Sequence, residues 1–160
     1  MKLPLFLCIA FFATATFITE SFATHPKEKT IMSTIRTRYM VNDIDEAVSF
    51  YTKHLGFQVA PDFPINRNFA MLSRGDFALI LSTPFGPGGA AKPMLDGRKA
   101  EPGGWTRIVI NVDNLQSEID RLRKANVRLR SEILTGPGGS EIILDDPSGN
   151  PVELFQPAAQ

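Results

Sequence analysis

The sequence predicts an α+β fold of two like halves laid end to end, and three observations carry that prediction. The chain repeats itself: RTRYMVNDIDEAVSFYTKHLGFQV, from Arg36, lies over RIVINVDNLQSEIDRLRKANVRL, from Arg107, at an offset of 71 residues. Each copy passes from an alternating segment into a capped helical face. Each then breaks into short β-rich runs separated by turn residues. Each half therefore reads as strand, helix, then about three strands. A half this small leaves one sheet face exposed and needs its twin to cover or complete it.

The elements follow in order. The first half opens with a short strand from Arg36. Asn42 and Asp43 offer side-chain oxygens to cap a helix. Ile44, Ala47, Val48, Tyr51 and Leu55 then line one helical face, and Gly56 stops it. Phe69–Ser73 and Phe77–Ser82 flank Arg74-Gly75 as a hairpin. In the second half Ile108, Ile110 and Val112 alternate with Arg107, Val109 and Asn111, the period of a strand with one greasier face. Asp113 and Asn114 cap a helix carrying Leu115, Ile119 and Leu122, and Asn126 tolerates the left-handed turn that ends it. Ile142–Asp145 and Pro151–Phe155 flank Asp146-Pro147-Ser148-Gly149-Asn150 as a second hairpin. Between the halves, Pro84 to Trp105 holds six glycines and four prolines in 22 residues, the composition of a long binding loop or lid. Gly86-Pro-Gly-Gly recurs as Gly136-Pro-Gly-Gly; it reads as turn chemistry or a backbone nest for an anion, and lacks the Gly-Lys-Ser/Thr of a P-loop.

Composition excludes several functions. The 160 residues suit one domain, and 17 basic against 17 acidic side chains leave no electrostatic footprint for nucleic acid. One cysteine excludes an intrachain disulfide and a cysteine-based metal cage. Cys8 falls within residues 1–23, where Lys2, an apolar run to Ile18, and small Ser21 and Ala23 match a secretory leader. Cleavage after Ala23 implies a secreted or periplasmic protein with no lasting membrane anchor; a true start at Met32 would instead leave it cytoplasmic. Residues 24–34 read as a polar lead-in. Nothing resembles a Ser–His–Asp or Cys–His nucleophile.

MVNDIDEAVSFYTKHLGF, VDNLQSEIDRLRKANV and the closing DDPSGNPVELFQP together resemble the vicinal oxygen chelate superfamily, which includes glyoxalase I, extradiol dioxygenases, fosfomycin-resistance transferases and bleomycin-resistance proteins. The resemblance covers residues 35–157. It implies tandem βαβββ modules, 35–83 and 106–157, joined by the loop 84–105. Their curved mixed sheet would surround a shared cavity, often completed by homodimerisation.

In metal-bearing members the resemblance places histidines where this chain has Arg36 and Arg107, and a glutamate where it has Ile80; Glu153 alone retains a ligand-type side chain. A guanidinium stays cationic and repels a divalent ion, so no metal and no other cofactor is expected. His25 and His54 are misplaced to substitute, His54 reading as a helix-end residue. If Arg36, Arg107 and Glu153 keep the family's orientation, they converge on the cavity. Two readings stay open there: an Arg–Glu pair that closes the old metal position, or an arginine left to grip a ligand carboxylate or phosphate. Arg38 and Asn111 share the strand faces concerned, and Phe69, Phe85, Trp105 and Phe155 could supply apolar walls. The expected function is metal-independent binding of a small anionic or oxygenated organic molecule by an exported protein. Its alternatives are a lyase, isomerase or dioxygenase-type enzyme with Glu153 as base, and a structural protein of an assembly.

Overall fold

The computed structural model describes residues 36–86 and 91–159. The leader and the lead-in of the sequence reading, and most of the first Gly-Pro-Gly-Gly, lie outside these residues. The first module comprises β1 (Arg36–Met40), α1 (Ile44–Leu55), β2 (Gln58–Val59), β3 (Phe69–Arg74) and β4 (Phe77–Ser82). The second comprises β5 (Ile108–Asn111), α2 (Leu115–Lys124), β6 (Leu134–Gly136), β7 (Gly139–Asp145) and β8 (Pro151–Pro157). The α+β fold with two tandem βαβββ modules is the one the sequence predicts. Among the described residues no strand or α-helix forms between Ser82 and Ile108.

Both helices begin and end where their capping residues stand. The Asp43 carboxylate accepts from the Glu46 amide at 2.8 Å, and Asn114 Oδ1 accepts from Ser117 at 2.9 Å. Gly56 closes α1 at φ 69°, a conformation that costs little only without a Cβ. The last two strands outrun their sequence assignments because their ladder runs without a break from Gly139↔Pro157 to Asp145↔Pro151. Its first rung demands glycine: a Cβ on Gly139 would lie 2.1 Å from the Gln156 carbonyl oxygen. Gly136 and Gly139 pair across the turn that joins β6 to β7, so the second Gly-Pro-Gly-Gly is turn chemistry.

Each module forms its own four-stranded mixed sheet, in the orders β1-β4-β3-β2 and β5-β8-β7-β6, with the first strand parallel to the last. One curved sheet was the expectation; the hydrogen-bonded ladder instead stops at β1 and at β5. Side chains join the two sheets. The Tyr39 hydroxyl donates to the Pro151 carbonyl at 3.0 Å and accepts from the Ile108 amide at 2.9 Å. One hydrogen and one lone pair of the hydroxyl thus satisfy a carbonyl and an amide that a continued ladder would have paired. A single apolar core spans both modules, running from Val41, Tyr51, Leu72 and Leu79 to Ile119, Leu122, Leu144 and Leu154. A smaller cluster, Ala60, Met71 and Ile80, lies on the opposite face of the first sheet.

The turn Asp146–Asn150 ties the halves together through side-chain hydrogen bonds. Asp146 Oδ1 accepts from the amides of Ser148 (2.9 Å) and Asn150 (2.8 Å). Its Oδ2 accepts from the Tyr51 hydroxyl (3.0 Å) and from Asn150 Nδ2 (2.8 Å). Asn150 Nδ2 also donates to the Met40 carbonyl at 2.8 Å, and Ser148 Oγ accepts from the Asn42 amide at 2.9 Å. A turn of the second module is thereby latched to β1 and α1 of the first. Burial pushes the Asp146 carboxyl upward, against donors that all favour its charged form.

Candidate functional site

Pleating separates the residues of β1 into two sets. Tyr39 turns into the core, whereas Arg36 and Arg38 are exposed on the other face. The same alternation sends Ile108 and Ile110 inward and leaves Val109 and Asn111 exposed. Strand register then aligns the two modules. Arg38 stands opposite Ile80 in the first, and Val109 stands opposite Glu153 in the second. Since Arg38 and Val109 correspond under the repeat, Ile80 and Glu153 are equivalent positions. With Arg36 and Arg107, these are the four positions at which the sequence resemblance would set the ligands of metal-bearing relatives.

Of these, the fold brings together Arg107 and Glu153. The Arg107 Nε lies 2.5 Å from Glu153 Oε2, and Glu153 is buried to 7% exposure. The hydrogen bond to Glu153 holds the guanidinium still more firmly charged, offset by some desolvation and helped by the charge of Glu141. This corrects the picture of two arginines facing one carboxylate. Arg107 is committed to Glu153, with Glu141 as a second acid nearby. Arg36 and Arg38 belong to the other sheet, where Arg38 donates to the Ser82 hydroxyl. Among the described residues neither makes an ion pair.

The remaining residues divide. Asn111 is exposed opposite Phe155, which is half-buried on β8, and Phe69 packs against the small cluster of Met71 and Ile80. Trp105 and Phe85 are 86% and 81% exposed, so neither forms an enclosed apolar wall. The Gly103 amide donates to Asn150 Oδ1 at 2.8 Å, fastening the loop's end to the inter-module latch. Sequence reasoning missed Asp146 and Asn150 as more than turn residues, and counted Tyr51 only as apolar surface. A tyrosine on a buried helical face was the available signal, because its hydroxyl needs a partner there.

The donor set does not fit a divalent metal ion. Two of the four positions carry guanidiniums, one of them bonded to the single carboxylate, and the fourth is the alkyl side chain of Ile80.

Paired βαβββ modules with ligand positions on the first and last strands of each sheet define a class of duplicated-module proteins. The chain belongs to the Glyoxalase/Bleomycin resistance protein/Dioxygenase superfamily, whose family model matches residues 33–154. It is 31% identical to the mitochondrial methylmalonyl-CoA epimerase of Homo sapiens over 123 residues, 72% of this chain and 69% of that protein. In three dimensions it is similar to lactoylglutathione lyase from Agrobacterium tumefaciens, with a TM-score of 0.60 and 18% identity over 78% of this chain and 93% of that one. It is also similar to TnmS3, an antibiotic binding protein from Streptomyces sp. CB03234, with a TM-score of 0.58 and 22% identity over 80% of this chain and 98% of that one.

Proposed function

We propose that this protein is an exported, metal-independent binder of a small anionic or strongly oxygenated organic molecule, held on the open faces of its two sheets. The fold hosts a lyase and an antibiotic binding protein alike, so the side chains must decide. The carrying observation is the Arg107–Glu153 pair. It pairs the arginine of the second module and, among the described residues, leaves Arg36 and Arg38 on β1 without acidic partners. Guanidiniums so placed suit bidentate contact with a carboxylate or phosphate, and half-buried Phe69 and Phe155 suit an apolar body. Export rests on the leader pattern of residues 1–23. A homodimer would cover the exposed Val109 and Asn111.

A native mass spectrum of protein purified from its own cells without added metal tests all of this together. The expected species begins at or near Thr24 and carries an organic adduct and no stoichiometric divalent ion. The double variant Arg36→Ala/Arg38→Ala is expected to weaken that adduct about tenfold or more while leaving the melting temperature unchanged. About one zinc, nickel, manganese or iron per chain in elemental analysis would overturn the reading.

A second reading, an isomerase with Glu153 as proton acceptor, is favoured by the likeness to methylmalonyl-CoA epimerase. It requires Glu153 to be released from Arg107. Proton exchange on a candidate substrate that survives Glu153→Gln would exclude it.

A further inference from the structure

The two halves differ at the turn before their last strand. Between β7 and β8 the chain inserts Asp146–Asn150, which reaches across to Met40, Asn42 and Tyr51. Between β3 and β4 only Gly75 and Asp76 intervene. Under the 71-residue repeat, the counterparts of Met40, Asn42 and Tyr51 are Asn111, Asp113 and Leu122. The one acid of this two-residue turn, Asp76, makes no hydrogen bond to those residues among the described ones, and Leu122 has no hydroxyl to match that of Tyr51. A cleft of about 530 Å³ lies at that place, between the end of α1 and the start of α2. The equivalent depression beside the latch, lined by Glu46, Phe50 and Asn126 among others, has about 360 Å³.

The larger cleft has a mixed lining, more polar than apolar, and a cationic rim. Leu55, Ile110, Val112 and Leu154 line it, and Lys53, His54, Arg74 and Arg121 come to it from both modules. Arg121 is tied down, its Nη2 donating to the His54 carbonyl at 2.7 Å and to Glu118 at 2.6 Å. Lys53 and Arg74 make no ion pair among the described residues. His54 reports the local field: desolvation, then the charges of Arg121 and Lys53, push its imidazole below the usual range. Asp113 and Glu118 are the acids on the lining, and Glu118 is spent on Arg121.

We propose that this inter-module cleft is a second binding site, for a small organic anion whose acidic group meets Arg74 and Lys53 and whose body packs on half-buried Val112 beside the buried Leu55 and Ile110. Its volume suits a small organic ligand. It is separate from the open faces, because Ile110 and Leu154 leave their strands on the side opposite to Val109 and Glu153.

Naphthalene-2-sulfonate, an apolar bicycle with one anionic group, is the probe. Titrated into the isotope-labelled full chain, it is expected to shift the amides of Leu55, Gly56 and Asn111–Ser117 along saturable curves. It should also raise the pKa of the His54 imidazole, since an added anion favours the protonated ring. Lys53→Ala/Arg74→Ala should weaken binding about tenfold, and Ser117→Trp, which places an indole in the cleft, should abolish it. These side chains are exposed, and unchanged melting temperatures will show that the variants fold. Arg36→Ala/Arg38→Ala should leave the affinity unaltered, which keeps this result independent of the open-face site. Shifts that do not saturate, shifts confined to other regions, or equal affinity in Lys53→Ala/Arg74→Ala would overturn the proposal.

Discussion

Asp146→Ala is expected to lower the unfolding free energy by about 3–4 kcal/mol, with a melting temperature about 10 °C lower for a domain of this size. The carboxylate accepts four hydrogen bonds, two from backbone amides of its own turn, one from Tyr51 and one from Asn150. Its removal strands those donors in a region where Tyr51 is wholly inaccessible and Asn150 nearly so. Each buried donor left unsatisfied costs about 1–3 kcal/mol, but the same substitution relieves the cost of burying a charge, so the sum falls short of four full penalties. Asp146→Asn should not restore stability, because an amide nitrogen would present hydrogens to donors. Tyr51→Phe removes one bond and should cost about 1 kcal/mol. Urea denaturation at unchanged m-value measures all three. A loss below about 1 kcal/mol for Asp146→Ala would mean that apolar packing alone joins the modules.

The second large effect is expected at Arg107. Arg107→Ala should cost about 2 kcal/mol, because it leaves the Glu153 carboxylate, whose side chain is 9% exposed, without its counter-charge. The full penalty of a completely buried pair is not reached, since the Arg107 side chain is 31% exposed and water screens it. Glu153→Gln keeps an acceptor for Nε and should cost less. The double variant should then be little worse than Glu153→Gln alone, a coupling of about 1–2 kcal/mol. Ligand affinity on the open faces should persist in Arg107→Ala and depend on Arg36 and Arg38. The opposite pattern, wild-type melting with lost affinity, would return Arg107 to the role of ligand anchor.

The sequence by itself determined the duplicated α+β architecture, the helix boundaries and the guanidiniums at Arg36 and Arg107. All three are local. A cap needs an Asp or Asn beside the first helical turn, a stop needs Gly56 or Asn126 beside the last, and a guanidinium repels a cation wherever it stands. The family resemblance set Ile80 as the first-half counterpart of Glu153, and in the strand register Ile80 faces Arg38 as Glu153 faces Val109. Only the tertiary structure decided how Arg107 is used, where Trp105 points and how the halves are joined. Arg107 meets Glu153 only because β5 and β8 lie side by side, 46 positions apart in the chain, and no local pattern encodes that choice over a free guanidinium. The latch brings Tyr51 to Asp146 across 95 positions, and the cleft opposite lies beside a hairpin turn of two residues where the other has five. Turn length is legible in a sequence. What a turn reaches, or fails to reach, depends on the packing of two modules against one another, and that is set by the whole core at once.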